Sequence, residues 1–153
     1  MLPTNRDQLD GLLEGGVLGN LDTVHATAWA SVSDPALLEL CRLRAAAMLG
    51  ASDALAWRSP VALAAGLDEA KVAALGDWAA APCFDERERA YLDFTEQFVT
   101  SVSHVSDAQV AALCAHDSER DVAVFISALY ALEFTTRVAL VSSAVLSRGE
   151  VVA

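Results

Sequence analysis

The sequence predicts an all-α domain of about six to eight helices that closes with one long, buried C-terminal helix. Three observations carry that reading. Strand signals are nearly absent, while alanine, leucine and glutamate dominate. Apolar residues recur at the three- and four-residue spacing of a helix face. Helix-start motifs punctuate the chain from Ser33 to Asp121. At 153 residues the chain suits one domain, 1–153, with a helical extension over 1–33 and a core over 34–147.

The elements follow in order. Short helices are expected around Leu9 to Leu13 and Asp22 to Ala30. Ser33, Asp34 and Pro35 open a helix that runs to about Leu49, with Gly50 as its stop. Ser52 caps a second helix that closes at Gly66, and Asp68 caps a short third through Leu75. Trp78 to Phe84, marked by Pro82, is a linker. Asp85 and Glu88 form a capping box, after which Tyr91, Phe94, Phe98 and Val102 share one face. Ser106 and Gln109 repeat the box before Val110 to Ala115. Ser118 and Asp121 open the last helix, which reaches about Ser147. That helix is apolar on nearly all sides from Val122 to Leu132 and from Val138 to Leu146, the pattern of a helix at the centre of a domain or at a subunit interface.

Composition narrows the partners. Hydrophobic residues make up 54% of the chain and mean hydropathy is +0.37. Glu133 and Arg137 cut the final apolar region, so no uncharged run reaches the ~18 residues of a membrane span. No signal peptide is expected from Met1 to Asp10, and the chain reads as cytoplasmic. The surplus apolar surface then points to self-association. A net charge of −11 repels phosphate backbones and anionic bilayers, so neither nucleic acid nor membrane is expected as a partner. Cys41, Cys83 and Cys114 are odd in number, widely spaced and without a CxxC, and read as reduced core thiols. No metal site is expected: Asp85, Glu86 and Glu88 read as a capped helix start, and His104 and His116 lie near helix ends.

The stretch from Leu37 to Gly50, followed by a second helix ending in Ala65–Gly66–Leu67–Asp68–Glu69, resembles the core motif of the carboxymuconolactone decarboxylase and alkylhydroperoxidase-D superfamily. Phe84 to Glu96, Val105 to Leu113 and the final helix with Arg137 are similar to its later helices. The resemblance implies a compact AhpD-like helical fold that assembles as a dimer, trimer or hexamer. It also implies a motif of a glutamate, a CxxC beginning twelve residues on, and a histidine four residues beyond the second cysteine. Glu39 fits the glutamate. The same frame then falls on Ala51, Ala54 and Arg58, so dithiol chemistry is lost there. Cys41 lies ~200° around its helix from Glu39 and does not substitute.

The resemblance therefore implies a pocket with Glu39 facing Arg58 over two small alanines, Ala51 and Ala54, with Asp53 and Trp57 on the same helix. His25 and Trp29, four residues apart, share a face that walls it. Glu39 would serve as general acid or base, and Arg58 would clamp an anionic or carbonyl-bearing small-molecule substrate. That is decarboxylase-, lyase- or isomerase-type chemistry with no cofactor. The alternatives are an ion pair that only locks two helices, in a catalytically degenerate module for ligand binding or assembly, and a peroxidase with displaced cysteines. Glu133 and Arg137 are read as a second ion pair within the last helix.

Overall fold

The computed structural model describes residues 17–149, with side chains from 20 to 145. The helix expected around Leu9 to Leu13 lies outside the described residues. Among those described, the chain is entirely helical: α1 (Val17–Ser31), α2 (Pro35–Met48), α3 (Ser52–Ala56), α4 (Pro60–Ala64), α5 (Glu69–Ala74), α6 (Glu86–Ser101), α7 (Asp107–Cys114) and α8 (Glu119–Gly149), with single 3-10 turns at Leu75–Asp77 and Val102–His104.

Helix α2 is the axis of the core. Asp34 caps it by accepting the Leu37 N–H at 3.0 Å, and Pro35 sets the first helical φ. Leu37, Leu38, Leu40, Cys41 and Leu43 are all buried. They pack against α6, through Tyr91, Leu92 and Phe94, and against α8, through Phe125, Leu129 and Leu132. Gly50 takes φ +68°, which lets the chain reverse while the Ala51 N–H returns to the Ala46 carbonyl at 2.9 Å. The predicted stops at Gly50 and Gly66 both stand, as do the caps at Asp68, Asp85 and Ser106. Ser118 accepts the Asp121 N–H at 3.2 Å at the start of α8.

Ser52 does not cap its helix: it is the first helical residue, and Ala51 precedes it without a side-chain cap bond. Two further departures have local causes. The single helix expected from Ser52 to Gly66 is two short ones. The chain is already extended at Trp57, ψ 149°, where α3 ends; proline disfavours helical backbone in the residue before it, so Ser59 is extended too, at ψ 125°, and Pro60 starts α4 afresh. Val102 drops out of the apolar face of α6 because the chain tightens into a 3-10 turn there, leaving it 64% exposed.

The long C-terminal helix is present. Val122, Phe125, Ala128, Leu129 and Leu132 enter the core along one stripe. The opposite side carries Tyr130, Phe134, Val141 and Val145, all exposed in the single chain. By length and composition alone, α8 is the one helix among the described residues that could cross a membrane, over Glu119–Val145. Arg87 joins three helix ends: its Nη1 donates to Asp34 and its Nε to Asp117, each at 2.7 Å, and its guanidinium sits 5.4 Å from the Tyr91 ring centroid.

Candidate functional site

Glu39 and Arg42 stand one turn apart on the inward side of α2, and both are buried. The Arg42 Nε donates to Glu39 Oε2 at 2.6 Å and its Nη2 to Oε1 at 2.8 Å. The Ser59 N–H donates to the same Oε1 at 3.0 Å. Glu39 is therefore fully enclosed and held by three donors. Arg42 reaches on to the chain that follows α2. Its Nη1 donates to the Ala54 carbonyl and its Nη2 to the Trp57 carbonyl, both at 3.0 Å. Its Cζ also lies 5.0 Å from the Trp57 ring centroid. Of the five N–H groups of a guanidinium, four are engaged, leaving one on Nη1 without an acceptor among the described residues.

This corrects the expected partnership between Glu39 and Arg58. The expectation placed residues 51, 54 and 58 on one continuous helix face, but α3 ends at Ala56 and Arg58 falls in the break before Pro60. Arg58 instead turns to the surface. There its Nε donates to Glu69 Oε1 at 3.0 Å and its Nη1 to the Leu55 carbonyl at 2.6 Å. The residue missed in the sequence is Arg42. Its signal was the i, i+3 spacing from Glu39 within one helix.

A cavity of about 220 Å³ lies against the outer side of this pair. Arg42 forms part of its wall, Ala51, Asp53, Ala54 and Trp57 form another part, and His25 enters from α1. Leu132, Thr135, Ala139 and Leu140 of α8 close the far side, a contribution that no local motif announced. Ala51, Asp53, Ala54, Trp57 and His25 are thus brought together as expected. Trp29 is not in the lining. It is buried behind the wall, with its ring centroid 6.2 Å from His25 and 6.3 Å from Trp57, and its Nε1–H has no partner among the described residues. His25 and Trp57 are 5.8 Å apart. Burial lowers the His25 pKa to about 4, helped by the positive charge of Arg42, so the imidazole is neutral at neutral pH.

None of the three cysteines lines this cavity. Cys41 is enclosed in the core, where burial pushes its thiol up to about 12. Cys83 and Cys114 are exposed rather than packed inside, because both sit at the edge of a turn. No three His, Cys, Asp or Glu side chains among the described residues converge as metal ligands. Glu133 and Arg137 form the ion pair expected on α8, and Arg137 also donates to the Val99 carbonyl at 3.3 Å. His104 lies in the 3-10 turn, with Nδ1 2.7 Å from the Ser101 hydroxyl.

The profile of the carboxymuconolactone decarboxylase family matches residues 19–97, a span that holds Glu39, Arg42 and every cavity residue before α8. A crystal structure of a protein of unknown function from Agrobacterium tumefaciens, described as an AhpD antioxidant-defence candidate, superposes with a TM-score of 0.77. That match covers 92% of this chain and 94% of the other at 18% identity, so the two share the fold. No curated protein matches the chain.

Proposed function

The chain belongs to the carboxymuconolactone decarboxylase family, and from that premise we propose a cofactor-independent, non-redox enzyme that moves protons on a small carbonyl-bearing substrate, a lyase- or isomerase-type reaction. The observation that carries the reading is the cavity walled by a guanidinium that a buried carboxylate holds in position. A donor fixed in a partly dry site stabilises charge that develops on a carbonyl oxygen without having to reorganise. Ala51 and Ala54 leave an apolar floor, and the distance of all three thiols from the lining supports chemistry without a disulfide.

In this reading Arg42 contacts the carbonyl oxygen, and Glu39 is a positioning residue rather than the acid or base. His25 accepts the proton. The C–H proton alpha to the carbonyl passes to the imidazole, its electron pair forms the enolate double bond, and the carbonyl π pair ends on the oxygen beside Arg42. Return of the proton to a different carbon gives an isomer; loss of a leaving group gives a lyase product. Asp53 places a carboxylate in the lining of the same cavity.

The test is hydrogen–deuterium exchange alpha to the carbonyl of cyclohexanone and phenylacetone, followed by NMR in deuterated buffer. The wild-type chain should accelerate exchange well above buffer. Arg42→Lys and His25→Gln should each lose most of that acceleration while keeping the helical circular dichroism spectrum. Exchange no faster than buffer, with pocket signals still shifted by the ketones, would instead favour a ligand-binding module of the same fold.

We also propose that the chain self-associates through the outer side of α8. Tyr130, Phe134, Val141 and Val145 form one exposed stripe, extended by Phe98, whose ring meets Tyr130 edge-on. The only charge within the stripe, Arg137, is already paired with Glu133, so a second copy can cover it without burying an unpaired cation.

A further inference from the structure

Resting on the reading of the cavity as a carbonyl site, we infer that its ligand is uncharged, and that Arg42 holds the carbonyl through a single N–H while the cavity turns away the carboxylate form of the same molecule. The anionic half of the sequence expectation depended on Arg58, and Arg58 lies outside, bound to Glu69.

Charge is the first argument. Arg42 and Glu39 form a buried pair at 2.6 and 2.8 Å whose charges cancel. No other lysine or arginine lines the cavity among the described residues. Among the described residues, an entering anion would give up its hydration shell to meet a cation whose charge is already answered.

Geometry is the second. A carboxylate is recognised best by two parallel N–H groups on one edge of a guanidinium. Glu39 occupies the Nε–Nη2 edge of Arg42. The Nη1–Nη2 edge is divided between the carbonyls of Ala54 and Trp57. What remains is one Nη1 N–H, which matches one carbonyl acceptor and offers no fork. Ala51, Ala54, Trp57, Leu132 and Leu140 form the apolar and aromatic part of the wall, and Ser52, Thr135, Thr136 and Ser143 add neutral hydroxyls that bring no charge to match an anion. His25 adds no positive charge at neutral pH, since burial keeps it neutral. The volume of about 220 Å³ falls below the ~300–1,000 Å³ of pockets for drug-sized ligands, so the ligand is small. An uncharged substrate leaves isomerisation or elimination open and removes decarboxylation, which starts from a carboxylate.

Benzamide, benzoate and benzamidinium share a planar shape and differ in charge, so they separate the arguments. Each is titrated into the ¹⁵N-labelled wild-type chain while the Trp57 indole and Arg42 Nε signals are followed. Benzamide should bind at least tenfold more tightly than benzoate. Equal or tighter binding of benzoate at the same signals overturns the inference and leaves the carbonyl reading standing, and benzamidinium binding more tightly than benzamide overturns it equally. Silence of the pocket signals with all three overturns both. Glu39→Gln, which removes the compensating charge, should raise benzoate affinity relative to benzamide at least tenfold, and an unchanged ratio counts against the inference. Should that variant fail to fold, Arg58→Gln provides the second check: the benzamide-to-benzoate ratio must stay within twofold of wild type, and a larger change overturns the inference.

Discussion

Arg42 holds Glu39 edge to edge, Nε to Oε2 at 2.6 Å and Nη2 to Oε1 at 2.8 Å, and the same guanidinium ties α2 to the carbonyls of Ala54 and Trp57. The pair is therefore a brace for the segment that walls the cavity as well as part of the wall. Glu39→Gln leaves a buried cation without its counter-charge, and the expected cost is ~3–5 kcal/mol in urea denaturation. Replacing both members by leucine and methionine should not restore wild-type stability, because the Ser59 N–H and the two carbonyls would lose their partners. Full recovery in the double variant would show that the brace contributes nothing beyond cancelling its own charges.

Arg58 gives the opposite expectation. Its partner Glu69 is more than half exposed, and water screens the pair. Arg58→Ala should cost under ~1 kcal/mol by the same measurement. It should also leave the ketone exchange rate unchanged, since the side chain does not reach the cavity. A loss of exchange comparable to that of Arg42→Lys would mean that Arg58 enters the site during turnover.

The contrast between these two arginines explains how far the sequence could be read. The caps at Asp34, Asp68, Asp85 and Ser106 depend on hydrogen bonds spanning two or three residues, so local spacing revealed them. The cavity residues Ala51, Asp53, Ala54 and Trp57 came instead from the resemblance to the family motif, whose frame begins twelve residues beyond Glu39. Arg58 was misplaced because one proline, two residues further on, interrupts a helix whose apolar pattern continues past it. Arg42 was not legible from the family frame, which sets Glu39 against a position beyond the next helix start, whereas its partner lies one turn away on the same helix. Thr135 and Leu140 reach the cavity only through the docking of α8 on α2, a contact between distant parts of the chain that no local pattern encodes.

His25 makes stability depend on pH. Its pKa is lowered by burial to about 4 in the folded chain, against an ordinary value of 6.5. Between those values the unfolded chain binds a proton that the folded chain does not, so acid favours unfolding. The contribution of the neutral imidazole is complete above pH 6.5 and is lost progressively as the pH falls from 6.5 towards 4. Melting temperatures measured from pH 7.5 down to 4.5 should fall less steeply for His25→Gln than for the wild type. Parallel curves would show that His25 titrates in the folded chain much as it does in the unfolded one. Exchange that depends on a neutral His25 should persist down to about pH 4.

The outer stripe of α8 can be tested by size. Tyr130 stacks on Phe134 with ring centroids 6.4 Å apart, and Val141 and Val145 continue the line over the next turns, each more than 60% exposed. An apolar stripe of this length on a chain that also carries a net charge of −11 is stable in water when a copy of itself covers it. Light scattering after size exclusion should give a mass at least twice the 16.1 kDa of the chain. Phe134→Lys combined with Val141→Lys should reduce it to 16.1 kDa without loss of helix content, because neither side chain contributes to the core. A wild-type chain that runs as a monomer at micromolar concentration would remove self-association through α8 and leave the stripe to be explained by another partner.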